Sequence, residues 1–450
     1  MKSSLPPIPD LPISGTPLST PGNPPVGRVQ KSKRLRTTQW IALGLLVAAG
    51  LVNYLDRSTL SIANHSISAE LGLSPTQMGL LLSVFSWAYA LAQLPIGGIL
   101  DRFGARVTLG VGLFVWSIAQ GCIGFMHSLA AIMGARIALG FGEAPQFPAG
   151  AKVVSEWFSV KERGLPSGIF NLSSSLGPAI SQPILTGLLL AFGWRHMFVA
   201  MGVLGIVVAA VWYAAYRSRR DVHLTNEELV YLDGQIPASD AHQKLTLADW
   251  KSLFGMRVTW GITLGYVGII YMFWLFLTWL PGYLEHDRGL SIAHAGWVAS
   301  IPFLAGAVGV ISGGFFVDFL ARHGVSVGAS RRIPICLGML ASACFIVPAA
   351  FTASTPMAVF CVSGALFSLN VSIAGAWSLV SVAVPSRMVA SLGSIQNFGG
   401  YFGGAFAPTI TGIVVERTHS FSGALLISAA VAVAGALIYF FLARLPKRVG

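Results

Sequence analysis

From about Gln39 onward the chain repeats one pattern: a long apolar run, a short polar break, then another apolar run. The runs reach the ~20 residues that a helix needs to cross a bilayer core. The breaks predict spans near 38–63, 77–100, 106–126, 129–154, 164–191 and 195–216, then 257–284, 294–320, 333–352, 357–383, 387–415 and 421–443. A backbone at that depth has no water to bond, so each span is expected to be a helix. The longest internal hydrophilic stretch, Arg217 to about Leu253, separates the sixth span from the seventh and includes Asn226-Glu227-Glu228 and Asp240-Ala241-His242-Gln243-Lys244. This pattern predicts an all-α integral membrane protein with twelve transmembrane helices in two pseudo-symmetric six-helix bundles. The expected divisions are a disordered cytoplasmic tail at 1–37, a first bundle at 38–216, a cytoplasmic linker at 217–256, a second bundle at 257–443 and a cytoplasmic tail at 444–450.

Composition agrees: 54% of residues are hydrophobic and 10% charged, against roughly 25% charged in an average soluble domain. The first thirty residues are rich in Pro, Ser and Gly and read as disordered. The run that follows is too long for a signal-peptide core and carries Asp56 and Arg57 where a cleavage site would need small residues, so it is expected to be retained. The net charge of +12 is clustered at alternate breaks, at Lys31 to Arg36, Arg102 and Arg106, Lys161 and Arg163, Arg217 to Arg220, Arg331 and Arg332, and Lys447 and Arg448. The positive-inside rule then places both termini in the cytoplasm. Anionic lipid headgroups account for that basic face, so membrane lipids are expected partners and nucleic acid is not. Cys122, Cys336, Cys344 and Cys361 all fall in apolar runs without ligand spacing and read as buried small hydrophobes. His65 and His196 lie near span ends and read as interfacial. With no nucleophile triad or metal spacing at a shared depth, neither an enzyme nor a metal or organic cofactor is expected.

The candidate chemistry lies where charge interrupts an apolar run, at a cost of roughly 2.5 to 3.5 kcal/mol per group on insertion scales. Asp56 and Arg57 interrupt the first span and Glu143 the fourth, with Arg136 seven residues before Glu143 on about the same helix face. Burial favours the protonated form of a carboxylic acid, and a nearby guanidinium favours the ionised form. An arginine released by its carboxylate offers a planar donor fork to an anion, so one site can exchange a proton for an anion. Other readings remain open: Asp56 and Arg57 as a solvated pair at the outer end of the span, Glu143 as a structural group in a kinked Gly/Pro-rich helix, and Arg136 as its partner, a direct substrate contact, a helix anchor or a gate.

The two halves share residues. Gly97-Gly98-Ile99-Leu100-Asp101-Arg102-Phe103-Gly104-Ala105-Arg106 returns, degraded, as Gly314 to Arg322, and Asn171 with Gly177-Pro178 is matched by Asn397, Gly403 and Ala407-Pro408. The first of these segments resembles the loop signature of the major facilitator superfamily, and the resemblance covers nearly the whole chain after the tail. It implies a gating or structural role for Asp101, Arg102 and Arg106, with Asp101 accepting from an opposing helix N-terminus and a nearby arginine; helix-end charge alone is the alternative. Within the superfamily, several motifs are similar to the anion:cation symporters, which include bacterial permeases for galactonate, glucarate and hexuronates. They are Asn53-Tyr54-Leu55-Asp56-Arg57, Trp87-Ala88-Tyr89, Arg136 with Gly142 to Pro148, Glu156-Trp157-Phe158, Glu162-Arg163-Gly164 and Thr278-Trp279-Leu280-Pro281.

That similarity implies that Tyr54, Arg57 and Tyr89 contact substrate, that Asp56 and Glu143 carry protons, and that Trp377 and Asn397 contribute from the second half. Read without it, the aromatic residues fit packing or interface anchoring equally well. Serines in membrane helices often bond only their own backbone, so about half of the polar patches at Asn171 and Ser173 to Ser175 and at Ser368, Asn370, Ser372 and Ser378 are expected to be bystanders. Asn171 to Ser175 departs from the galactonate and glucarate permeases, which tend to carry a glutamine and aromatics there, and this leaves the particular sugar acid open. The expectation is a monomeric, proton-coupled importer of a small organic anion in a bacterial inner membrane. Anion exchange is the nearer alternative and a drug/proton antiporter the more distant one.

Overall fold

The computed structural model describes residues 32–159, 162–233 and 247–445. The predicted disorder before Ser32, the run Asp240–Lys244, Lys161, and Lys447 with Arg448 lie outside them. Helix α1 (Lys33–Ile62) begins inside the predicted tail. It starts at Lys33 because the Ser32 side chain caps it, accepting from the Leu35 N–H at 3.0 Å. A short α2 (Asn64–Leu71) leads into α3 (Pro75–Ile123), which opens with Pro75 at its first position and a reciprocal Ser74–Gln77 capping box.

Helices α3, of 49 residues, and α6 (Gly164–Ala215), of 52, are each far too long for one crossing. Each is broken by one glycine, Gly104 at φ 77, ψ 167 and Gly193 at φ 77, ψ 166. That region of backbone space is essentially open to glycine alone, so each glycine turns one run into two crossings. Between them, α4 (Leu129–Glu143) and α5 (Gln146–Trp157) form one interrupted crossing. The second half comprises α9 (Arg257–His286), α10 (Ile292–Arg322), α11 (Ala329–Phe351), α12 (Thr355–Ala383), the broken pair α13 (Ser386–Gly404) and α14 (Phe406–Thr418), and α15 (Ser422–Leu442). Nine helical runs among the described residues are long and apolar enough to cross a membrane. Counting the two doubled runs and the α4–α5 pair, the architecture is the predicted twelve crossings.

The polar stretch after α6 is more ordered than its composition suggests. It holds a 3₁₀ turn at Arg219–Asp221 and helices α7 (Asn226–Asp233) and α8 (Leu247–Gly255). Glu228 ties it to the first bundle by accepting from the Ser32 hydroxyl at 2.5 Å, and Tyr231 donates to Glu162. The Ser32 bond is the leading reason the Glu228 carboxyl titrates below its ordinary range, followed by the Thr225 N–H.

Large apolar side chains point outward over most of the surface, with Phe315 71% and Leu94 57% exposed. In water such a surface would aggregate; it suits lipid. Cys122 and Cys344 belong to that outer surface, contrary to the expectation that all four cysteines are buried, and all four are free thiols. His65 and His196 are exposed at helix ends, as expected.

The bundles meet through α6 with α10, α3 with α13 and α14, and α1 with α9. Bonds between them gather on the face remote from the chain ends, here called the far face. There Ser61 Oγ donates to Thr278 O at 2.7 Å, Thr409 Oγ1 to Ser83 Oγ at 2.8 Å, and Glu416 accepts from Ser74 Oγ at 2.8 Å and Thr76 N at 2.9 Å. Gly79 and Gly412 permit the close approach, since a methyl group would fall 2.5 Å from Pro408 O at the first and against Pro75 O at the second. Toward the tail face α3 changes character: Met78 to Gln93 is mostly enclosed, whereas Leu94, Ile99 and Phe103 are exposed.

Candidate functional site

The last third of α1 is buried on every side, with Asn53, Tyr54 and Asp56 to Ile62 all enclosed between α6 and α9. Helix α3 adds Phe85 and Tyr89, four residues apart on one face. Helix α4 adds Arg136 and, at its last residue, Glu143. The helix stops there for a local reason. Pro148 has no N–H for the Ala144 carbonyl, and Pro145 has none either, so the hydrogen-bond ladder lapses. The Gln93 side chain repairs it by donating to Ala144 O at 3.1 Å. The break leaves Glu143 at a helix end inside the protein.

Arg57, Asp56, Arg136 and Glu143 each have 0% exposure. The reading of Asp56 and Arg57 as a solvated outer pair is therefore overturned, because the second bundle covers the end of α1. Arg57 Nε donates to Glu143 Oε2 at 2.7 Å. Its Nη1 and Nη2 have no protein partner, nor does Glu143 Oε1. The Arg57 guanidinium lies 4.8 Å from the ring centre of Tyr89, 5.2 Å from those of Tyr54 and Phe85, and 6.0 Å from that of Trp274. Aromatic faces stabilise a cation while leaving its N–H groups free. The donor fork is thus held in place without being used.

Arg136 shares the Phe85 ring with Arg57, lying 4.8 Å from its centre, and all three of its nitrogens lack a hydrogen-bond partner. It forms no bond to Glu143, so the proposed direct pairing is not what the structure contains. It instead lies in the shared field of Glu143, Arg57 and Asp56. Neither Asp56 oxygen has a hydrogen-bond partner; its favourable neighbours are Arg136 and the Trp116 indole. Two guanidinium and two carboxyl groups thus share one enclosure, neutral in sum when all are ionised.

The predicted second-half residues stand apart from this cluster. Trp377, on α12, is 46% exposed and meets Tyr266 edge-on at 6.4 Å. Asn397 is partly buried on α13, one turn before Tyr401. Tyr401 makes the connection across the bundles, its ring 4.9 Å from Tyr89 and 6.2 Å from Trp274. Sequence reasoning missed Phe85, Trp274 and Tyr401. Helical spacing held a signal for two of them, since Phe85 precedes Tyr89 by four residues and Tyr401 follows Asn397 by four. Trp274 had none, because only packing across the bundles brings it to Arg57.

The loop residues are elsewhere. Asp101 is 83% exposed and pairs with Lys152 of α5 at 3.0 Å, within its own bundle, rather than with an arginine or an opposing helix N-terminus. The long lysine of α5 reaches it first, and also binds Leu100 O at 3.2 Å. Arg106 bonds the Tyr213 carbonyl at 2.9 Å and lies 3.5 Å from Asp221; Arg102 lies over Phe103. Asp101, Phe103, Arg106 and Asp221, though not Arg102, line a cavity of about 480 Å³ on the tail face, with Lys152 and Glu156. Asn171, Ser173 and Ser174 donate to carbonyls three or four residues back, as expected of bystanders. No group of three metal-ligating side chains occurs among the described residues.

Twelve crossings in two joined bundles around a buried, partly unpaired charge cluster define a membrane transporter. The family model of the Major Facilitator Superfamily matches residues 46–408, and the chain belongs to that superfamily. Among curated proteins, the "Probable L-galactonate transporter" of Escherichia coli strain K12 is 49% identical over 426 residues, covering 94% of this chain and 93% of that one. The "D-galactonate transporter" of Escherichia coli O6:H1 is 34% identical over 435 residues, covering 95% and 99%. The crystal structure of a bacterial homologue of the human lysosomal transporter Spinster, inward-facing and occupied, matches with a TM-score of 0.76 at 18% identity over 92% of this chain and 98% of that one, a likeness of fold.

Proposed function

We propose that this transporter imports a hydroxylated sugar acid, of the galactonate type, together with protons, by alternating access across a bacterial inner membrane. The observation that carries the proposal is the buried Arg57–Glu143 pair, whose guanidinium fork has two nitrogens free of protein partners. A substrate carboxylate fits that fork in bidentate fashion. Its arrival would leave the otherwise neutral four-group enclosure with one excess negative charge, costly in a medium of low dielectric. Protonation of Glu143 or Asp56 cancels it, and this links the anion to the proton. The names of the galactonate-transporting relatives support the substrate class.

The sidedness follows the basic breaks: the tail face is cytoplasmic and the far face periplasmic. The bonds between the bundles on the far face support a cycle in which release toward the cytoplasm precedes reopening on that side. The test is uptake of labelled aldonates, aldarates and hexuronates into proteoliposomes, with and without an inward proton gradient. Gradient-driven accumulation of one acid supports symport and identifies the substrate. Uptake only against a preloaded anion would make the protein an exchanger and remove the proton-carrying role from Asp56 and Glu143.

A further inference from the structure

Helix α6 stands between α1 and α10. On one side Gly177 lies against Tyr54, a methyl group there falling 2.6 Å from Tyr54 Cβ. Nine residues on, half a turn around the helix, Thr186 packs on Gly296 of α10, where a methyl group would fall 2.7 Å from Thr186 Cβ. Gln182 lies one turn before Thr186 on that same bundle-to-bundle face. It is completely buried, and neither Oε1 nor Nε2 has a protein partner; the Thr186 hydroxyl is also without one.

The other buried glutamines of the first bundle are employed structurally. Gln39 donates to Trp157 O at 2.6 Å, Gln93 to Ala144 O at 3.1 Å, Gln120 to Thr59 Oγ1 at 2.8 Å and Gln146 to Leu46 O at 3.4 Å. Among the described residues, Gln182 is the one buried glutamine of this bundle that holds nothing, a condition it shares with the amide of Asn53 on α1, although buried amides are as a rule bonded. Its depth is also informative. Tyr54 and Gly177 are level; Arg57 is three residues beyond Tyr54 and Gln182 five beyond Gly177, so the two differ by about 3 Å along their helices.

We infer that Gln182, assisted by Thr186, is a specificity-determining subsite that recognises substrate hydroxyls on the far-face side of Arg57. A primary amide supplies both a donor and an acceptor, the complement of a hydroxyl or a vicinal pair of them. A site built to bond hydroxyls discriminates against acids that lack them, because its own polar groups are then left unpaired. The α6–α10 crossing covers Gln182 in this structure, and the parting of that crossing exposes it to an arriving anion. The inference rests on the sugar-acid reading above.

The test uses the full-length protein in proteoliposomes and compares wild type with Gln182→Met, which keeps the length and removes the amide. The expected result is a KM for galactonate raised about tenfold, the loss of one ordinary hydrogen bond. Competition by hexanoate, a carboxylate without hydroxyls, should stay unchanged, and the melting temperature of the unliganded protein should be unchanged or higher. Gln182→Asn, which retains the amide, should recover part of the affinity. An unchanged galactonate KM, or a lower melting temperature with galactonate and hexanoate weakened alike, overturns the subsite. Failure of the wild type to take up any hydroxylated acid overturns the sugar-acid reading, and the subsite with it.

Discussion

The interiors of the two bundles share an architecture and differ in chemistry. Among the described residues, the fully buried charged side chains of the bundles, Asp56, Arg57, Arg136 and Glu143, all belong to the first. The buried polar groups of the second are neutral: Thr259, Thr263, Thr278, Asn370, Gln396 and several serines and threonines. Buried charge is expensive and is rarely the cheapest way to stabilise a fold. Its concentration in one half of a duplicated structure argues that the halves divide the work. The first bundle manages charge, and the second adds neutral bonding groups and aromatic surface, joined to the first through Tyr401 and Trp274.

The largest effects should come from the charged interior. Glu143→Gln and Arg57→Lys are each expected to lower concentrative uptake at least a hundredfold, with Glu143→Gln retaining substrate binding or exchange. Uncoupled binding, measured by isothermal titration beside uptake, separates these outcomes. Wild-type accumulation in both variants would break the division of labour. Removing one partner of a buried pair also costs stability, roughly 3 to 5 kcal/mol when a charge is left unpaired, so a melting curve must accompany each assay.

A neutral residue of the second bundle should behave differently. Asn397→Ala is expected to raise KM about tenfold, a hydrogen bond's worth, while the accumulation ratio at saturating substrate follows the proton gradient as before. Loss of coupling in that variant would place charge management in both halves.

A smaller effect is expected at the far-face bonds that hold the bundles together. Glu416→Gln weakens the acceptor shared by Ser74 and Thr76 by making a charge-assisted bond neutral, an effect that solvent screens at this exposed position. That shifts the closed-to-open ratio modestly toward opening on this face. Spin labels at His65 and His419, read by double electron–electron resonance, would report the change as a longer-distance population. An unaltered distance distribution would show that packing, not this carboxylate, closes the face.

The smallest effect concerns a surface pair within the first bundle. Glu70 accepts from Arg195 at 2.6 Å and from the Trp194 indole at 2.7 Å, and the Arg195 bond chiefly holds its carboxyl below the ordinary range. A lowered carboxylate value stabilises the folded state above the unfolded value of about 4.3, and that stabilisation fades as pH falls through the lower folded value. Glu70 is nearly half exposed, so Glu70→Gln should cost only a few tenths of a kcal/mol at pH 7. The difference in melting temperature should close in more acidic buffer.

Much of this was legible along the chain. Apolar run lengths settle the number of crossings, because a bilayer core of fixed thickness and a fixed rise per residue leave one helix per run. Asp56, Arg57, Arg136 and Glu143 announced themselves because charge at that depth is costly wherever it lies. Tertiary structure alone decided how they are used: that Arg57 bonds Glu143 while Arg136 bonds neither acid, that Asp101 is taken by Lys152, and that Phe85, Trp274 and Tyr401 surround the guanidinium. It also left Gln182, like Asn53 and Gln396, buried without a partner, which the sequence did not reveal. The cost of burial depends on depth and residue type, which the sequence states; the partner that offsets it comes from another helix, and only the packing of helices selects it.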